Sequence, residues 1–165
     1  MKWLEIAREL VGTKELPGPA NNAKIMGWGN ALGAKILGIK YTADSVPWCG
    51  LFAAWCIKQA GFTPPPIAIR AKAWESFGVA LPLNLRPPEG AIVVFTRAGG
   101  GHVGFVVGWH SNGDVDVLGG NQGDAVNVRR FPKDRISAFR WPKGVPFTRP
   151  APLSGGKAEI TTGEG

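Results

Sequence analysis

The chain has 165 residues, 44% of them hydrophobic and 19% charged, with a mean hydropathy of −0.01. That is enough chain for one domain with a real core, and no apolar run reaches the roughly 18 residues of a membrane-spanning helix. The net charge of +7 and pI of about 9.8 favour a polyanionic partner such as nucleic acid, an anionic membrane or a cell-wall polymer, or else serve solubility alone.

The chain opens with MKWLEIAREL. Trp3, Leu4, Ala7, Leu10 and Val11 share one helical face, and Gly12 ends it. Glu5 and Glu9 interrupt the stretch, so it reads as an amphipathic helix and not as a signal peptide. GTKELPGPANN is a turn-rich loop. Asn21 or Asn22 is placed to cap a second, glycine-interrupted helix running to about Leu37.

A third helix is expected to start at Pro47, because the residue before a proline avoids helical angles and proline suits the first helical position. Phe52, Trp55, Cys56 and Ala60 continue it, and Gly61 is a natural stop. TPPP then breaks the chain, and AIRAKAWESF reads as a short helix ending at Gly78. From Ala91 the hydrophobic period changes. AIVVFT, HVGFVVGW, VDVLGG, VNVRRF and SAFRW read as strands. Helices first and an antiparallel sheet second is the order of an α+β fold. Residues 1–149 form one domain in this reading. Residues 150–165 have little apolar content and read as a flexible tail.

Both cysteines fall in DSVPWCGLFAAWC. Seven helical residues separate their Cα atoms by roughly 10 Å, whereas a disulfide needs less than about 7 Å. Cys49 is therefore expected to be a free thiol. In the first turn of a helix it meets unpaired backbone N–H groups and the positive end of the dipole, which favour a thiolate. Cys56, beside Phe52 and Trp55, reads as core.

A nucleophilic cysteine needs a base within hydrogen-bond reach. Of the two histidines, His102 opens an apolar strand after a glycine run, and His110 lies at that strand's far end. Ser111-Asn112-Gly113-Asp114 predicts a hairpin with a two-residue turn. Counting outward from Ser111 opposite Asp114, Gly104 faces Asn121 and His102 faces Gly123. Asn121 then becomes a diagonal neighbour of His102, and Gln122 points to the other face. Gly104, Val106, Gly108, Val117 and Gly119 share the histidine face in this count. Its three glycines let a helix or a substrate approach closely. Cysteine on a helix start, histidine on a strand and a polar orienter form the cysteine-hydrolase version of the triad.

Other chemistries have less support. No C-x-x-C or H-E-x-x-H spacing suggests zinc. RAGGGHVG lacks the Lys-Ser/Thr of a phosphate loop and leads into a strand. Asp114 and Asp116, beside the turn, read as solvated charge. The seven tryptophans could stack on bases or sugars, but most fall at core-like positions.

In this order, DSVPWCGLFAAWC, GHVGFVVG and VLGGNQ resemble the CHAP/NlpC-type cysteine amidohydrolases, and KELPGPANNAKIM and AKAWESFG look like the compact phage endolysins among them. The resemblance covers roughly residues 3–142. It implies a papain-like α+β fold, with N-terminal helices packed on a C-terminal antiparallel sheet, and hydrolysis of amide bonds in peptidoglycan. Cys49 matches the nucleophile, His102 the base and Asn121 the variable third position, with Gln122 the alternative. Trp48, Gln122 and Tyr41 are candidate substrate-binding residues, and Tyr41 corresponds to an upstream tyrosine that some relatives use at the oxyanion site. Glu89-Gly90-Ala91 departs from the Gly-Asp that relatives often carry there.

The expected partners are peptidoglycan and the anionic bacterial envelope, with no specific nucleic acid, metal or cofactor. A monomer is expected, made in a host cytoplasm without a signal peptide and released by a separate holin to act on the wall. A secreted antibacterial toxin of the same chemistry, and a non-catalytic wall- or polyanion-binding module, are the alternatives.

Overall fold

The computed structural model describes residues 1–154. Helix α1 spans Lys2–Glu9 and buries Trp3, Leu4 and Ala7. Helix α2 spans Ala23–Leu37, and the Asn22 side chain accepts from the backbone N–H groups of Lys24 and Ile25, the capping expected of asparagine there. It kinks at Gly33, whose φ of 79° is not helical.

Helix α3 spans Cys49–Gln59 and buries nearly every residue. It starts two residues later than the proline rule suggested. Trp48 occupies the N-cap with ψ 19°, and its carbonyl accepts the first helical bond, from Phe52 N–H at 2.9 Å. The Trp48 indole is anchored by Glu15 at 3.0 Å, which ties it to the preceding loop. AIRAKAWESF forms a 3₁₀ helix, Ala71–Ser76, instead of a short α-helix. The Trp74 indole reaches back to the Ala68 carbonyl.

Six strands follow: β1 Val79–Leu81, β2 Ile92–Arg97, β3 Gly100–Trp109, β4 Val115–Gly119, β5 Asn127–Phe131 and β6 Ile136–Trp141. They form one antiparallel sheet in the order β1-β6-β2-β3-β4-β5. The α+β, papain-like arrangement expected from the sequence is borne out. Strand β1 was not expected: Val79–Leu81 is short and largely exposed, so it carries no burial pattern to read.

Helix α3 lies on the sheet face of Phe105, with the Phe52 and Phe105 rings 6.3 Å apart. The opposite face carries Phe95, His102, Val106, Val117 and Phe131. It is buried because the sheet curls. Phe131 of β5 stacks on Phe95 of β2 at 4.6 Å, although β3 and β4 lie between them in the sheet.

The β3–β4 hairpin corrects the expected register. His110 N–H donates to Asp114 O, Gly113 N–H donates to His110 O, and Gly113 has φ 93°. This is a three-residue loop closed by a left-handed glycine, the next most common hairpin after the two-residue turn. A bulge between Val106 and Gly108 shifts the ladder again, so that Val106 meets Val117 and Gly108 meets Asp116. The hairpin count had set Val106 opposite Gly119. A slip of two residues keeps Val106, Val117 and Gly119 on the histidine face, as a slip of one would not. Past the bulge the phase reverses, and Gly108 leaves that face.

The ordered domain continues past residue 149. Ala151 N–H donates to Pro87 O, and Trp109 exchanges backbone bonds with Pro152 and Ser154. The expected flexible tail is therefore pinned over residues 150–154, and its remainder, 155–165, lies outside the described residues.

Candidate active site

Cys49 is the first residue of α3, so its own N–H and that of Gly50 have no helical partner. These groups, with the backbone N–H of Val103 in β3, act to lower the pKa of the Cys49 thiol. Val103 follows His102 directly in β3. Cys49 is 7% exposed. Burial raises its pKa above the ordinary thiol value, and the N–H groups and Arg97 only partly oppose this. The sequence argument that a helix N-terminus favours thiolate is outweighed here by desolvation. Cys56 is buried too, and both cysteines are free thiols.

His102 is 1% exposed. Its ring stacks on Phe131 with 5.1 Å between centroids and 12° between planes. Phe95, its cross-strand partner in β2, lies 6.1 Å away on the same side as Phe131. Burial pushes the His102 pKa down to about 4. The Gln122 hydrogen bond opposes this, and Arg97 and Arg135 add to it. The resting imidazole is therefore neutral.

The hydrogen-bond partner of His102 differs from the expected one. His102 Nε2 lies 3.0 Å from Gln122 Oε1, and Asn121 does not take that place. Strand pairing of β4 ends at Gly119, and Asn121 has φ 58°, so strand alternation no longer governs the two side chains. Gln122 folds back beneath Gly119, where a Cβ would stand 2.4 Å from Gln122 Oε1. The Gln122 amide nitrogen donates to Val117 O at 3.2 Å, Asn127 O at 2.9 Å and Asn127 Oδ1 at 3.0 Å. With the NH2 group so engaged, the amide oxygen must face the histidine. An amide oxygen only accepts, so Nε2 of the neutral ring carries the hydrogen and Nδ1 carries the lone pair.

Trp48 and Tyr41, candidate substrate-binding residues, are buried at 0% and 5% exposure. The Tyr41 hydroxyl donates to Val46 O at 3.0 Å, and its ring packs on Gly29, where a Cβ would stand 2.8 Å away. Both residues are core and present almost no surface to a ligand. Asp44 is not the cap of α3. Its Oδ2 accepts from Leu16 N–H and Asn22 N–H, fixing the 13–22 loop. Asp114 and Asp116 are also not solvated. Asp114 binds Arg130 at 2.8 Å, and Asp116 binds His110 at 2.7 Å. Glu89, where the sequence departs from its relatives, is buried and paired with Arg149 and Arg8.

Several contributors had no sequence signal. Phe131 reaches His102 because the sheet curls, Arg97 and Arg135 act on it through their charge, and the Val103 N–H is a backbone group. Among the described residues no group of three or more His, Cys, Asp or Glu is placed to hold a metal ion.

Residues 41–121 match the family model of the CHAP domain. No curated protein and no solved structure matches the chain. The matched segment contains Cys49 and His102 and ends one residue before Gln122. CHAP domains are typically cysteine- and histidine-dependent amidohydrolases, which implies peptidoglycan hydrolase or amidase activity in general, with peptidoglycan as the substrate. Residues 41–121, the segment that carries Cys49 and His102, therefore belong to the CHAP-type superfamily.

Proposed function

We propose that the protein cleaves an amide bond in the peptide stem of peptidoglycan, or at the stem's junction with the sugar, using Cys49 as nucleophile, His102 as general base and Gln122 as the residue that orients His102. The observation that carries this reading is the Gln122–His102 hydrogen bond of 3.0 Å. It fixes the tautomer whose Nδ1 can accept the thiol proton.

The resting pair is thiol and neutral imidazole, since burial disfavours the charged form of each. When a substrate carbonyl arrives, His102 Nδ1 takes the Cys49 proton and the sulfur bonds to the carbonyl carbon. The developing imidazolium is stabilised by Gln122 Oε1. Backbone N–H groups around Cys49, those of Cys49 and Gly50 at the start of α3, serve the oxyanion. His102 then gives its proton to the amine nitrogen as the C–N bond breaks. Water, deprotonated by His102, cleaves the thioester, and the thiol and a free carboxylate are regenerated.

Endolysin-like lysis fits this chemistry. The net charge of +7 would hold a monomer on the anionic envelope, with a separate holin providing release from a host cytoplasm. The test is digestion of purified peptidoglycan by wild type and by Cys49→Ser. New free amino groups from wild type and none from the variant are expected. Equal release by both would overturn the mechanism.

A further inference from the structure

A cavity of about 500 Å³ lies beside the tip of the β3–β4 hairpin, within the roughly 300–1,000 Å³ range of small-ligand sites. Trp109, Ile136 and the exposed Leu83 line it. Trp109 reaches the sheet face that carries His102 through the bulge. Val106 pairs with Val117 and Trp109 with Val115, so the extra residue between them brings an odd-numbered tryptophan to the side of the even-numbered His102. Ile136 pairs with Phe95, and Phe95 pairs with His102. That row sets the Ile136 wall two strand spacings, roughly 10 Å, from His102.

The chemistry of the cavity narrows its ligand. It has one cation, Lys133, and one anion, Asp134. In a chain of net charge +7 this neutral patch suits neither a polyanion nor a carboxylate-rich segment. The backbone of Trp109 cannot add a peptide strand, because its N–H donates to Pro152 O and its carbonyl accepts from Ser154 N–H. Side chains remain: an indole, the amide of Asn84, and the amide of Asn112. The Asn112 oxygen accepts from Asp114 N–H, leaving its NH2 to donate. An aromatic ring flanked by amide donors and acceptors complements a neutral sugar with hydroxyl and acetamido groups.

We infer that this cavity is a binding subsite for the glycan strand of the substrate, with Trp109 as its stacking platform. The assignment rests on the proposed action on peptidoglycan.

The test is titration of the full ¹⁵N-labelled chain, as wild type and as Cys49→Ala, with a hexamer of N-acetylglucosamine. The Trp109 indole and the Asn84 and Asn112 side-chain amides are expected to shift saturably in both proteins. The indoles of buried Trp3, Trp74 and Trp141 are expected not to move. Trp109→Ala should weaken binding at least tenfold. Leu83→Asp, an exposed change that leaves the core untouched, should do the same. Unperturbed Trp109, or full affinity in folded Leu83→Asp, would overturn the subsite. Because the titration needs no hydrolysis, the two claims separate. Binding at Trp109 by a protein that cleaves no amide supports the subsite and refutes the hydrolase, and cleavage without binding there does the reverse.

Discussion

Gln122 Oε1 lies 3.0 Å from His102 Nε2, while the amide nitrogen of the same side chain is held by acceptors on β4 and β5. The bond is directional, because the amide cannot flip without setting its NH2 against a ring N–H and leaving the strand carbonyls unpaired. Removing it frees the ring to rotate and to change tautomer. Gln122→Ala is expected to lower kcat by about 10²-fold or more, in keeping with the large losses seen when a triad histidine loses its orienter. Asn121→Gly, which keeps the left-handed backbone at that position, should change kcat much less. Steady-state rates on peptidoglycan decide this, and the opposite ranking would return the orienting role to Asn121.

Gly119 offers an independent route to the same bond. A Cβ there would stand 2.4 Å from Gln122 Oε1 and 3.4 Å from His102 Nε2. Gly119→Ala should therefore displace Gln122 and cost activity beyond its effect on the melting temperature. Gly120→Ala acts differently, since its Cβ would stand 2.6 Å from Phe52 Cβ and 2.9 Å from Trp48 Cζ3. It should lower stability by about 1–3 kcal/mol through overpacking. Thermal denaturation and rate measurements on both variants separate the two effects. Equal stability losses with equal residual rates would show that Gly119 has no special relation to the site.

The neutral, buried imidazole predicts a direction for pH. His102 has a folded pKa of about 4 against an ordinary 6.5. Between these values the unfolded chain binds more protons than the folded one, so stability rises with pH across this window and levels off above 6.5. The span corresponds to roughly 3 kcal/mol at most. Urea unfolding at pH 6.5 and pH 4.5 should show the loss at the lower pH, and His102→Gln should reduce it. The acid limb of activity should fall near pH 4–5. A stability curve unaltered by His102→Gln would mean that His102 is not the group responsible.

Thiol reactivity should be low in the resting state. Cys49 is 7% exposed and Cys56 fully buried, and burial raises the pKa of both. Iodoacetamide at pH 8 should modify Cys49 at least tenfold more slowly than a small free thiol, and Cys56 more slowly still, with both reacting rapidly in urea. Mass spectrometry of timed digests measures this. Rapid alkylation of Cys49 in the folded protein would show that a preformed thiolate, and not general-base activation on substrate binding, is the resting state.

Among the basic residues after β4, Arg130 is committed to Asp114. Arg130→Glu should destabilise the fold, because it sets like charges together at a largely buried carboxylate. Arg129→Glu should preserve the fold and weaken wall binding, most clearly at low salt where exposed charges are least screened. Co-sedimentation with cell walls across a salt series tests the pair. Salt-independent binding would remove any functional meaning from the net charge.

The sequence made the large periodic elements legible. The Asn22 cap and the apolar runs of α3, β2 and β3 each follow from local chemistry. Cys49 and His102 were visible because a helix start and a glycine-flanked strand are local features. The count set Asn121 beside His102 because it carried strand alternation past Gly119, where the pairing of β4 ends and Asn121 turns left-handed. Even with the true register, strand alternation would not have found Gln122. The contact forms after β4 has ended, in a turn containing left-handed Asn121 and Asp124. The burial of Trp48, Tyr41 and Asp44 was likewise invisible, since the partners of Trp48 and Asp44 lie in the 13–22 loop, distant in sequence.

The most direct test of the account is mass-spectrometric identification of the ends that the protein creates in purified peptidoglycan. A thiolate attacking a carbonyl must release amines, whereas glycosidic cleavage usually needs two carboxylates flanking the bond. New free amino groups matched by new carboxyl ends are expected, with no new reducing sugar ends, an unchanged rate in chelator, and complete loss in Cys49→Ser. New reducing ends without amines, or undiminished cleavage by Cys49→Ser, would contradict it.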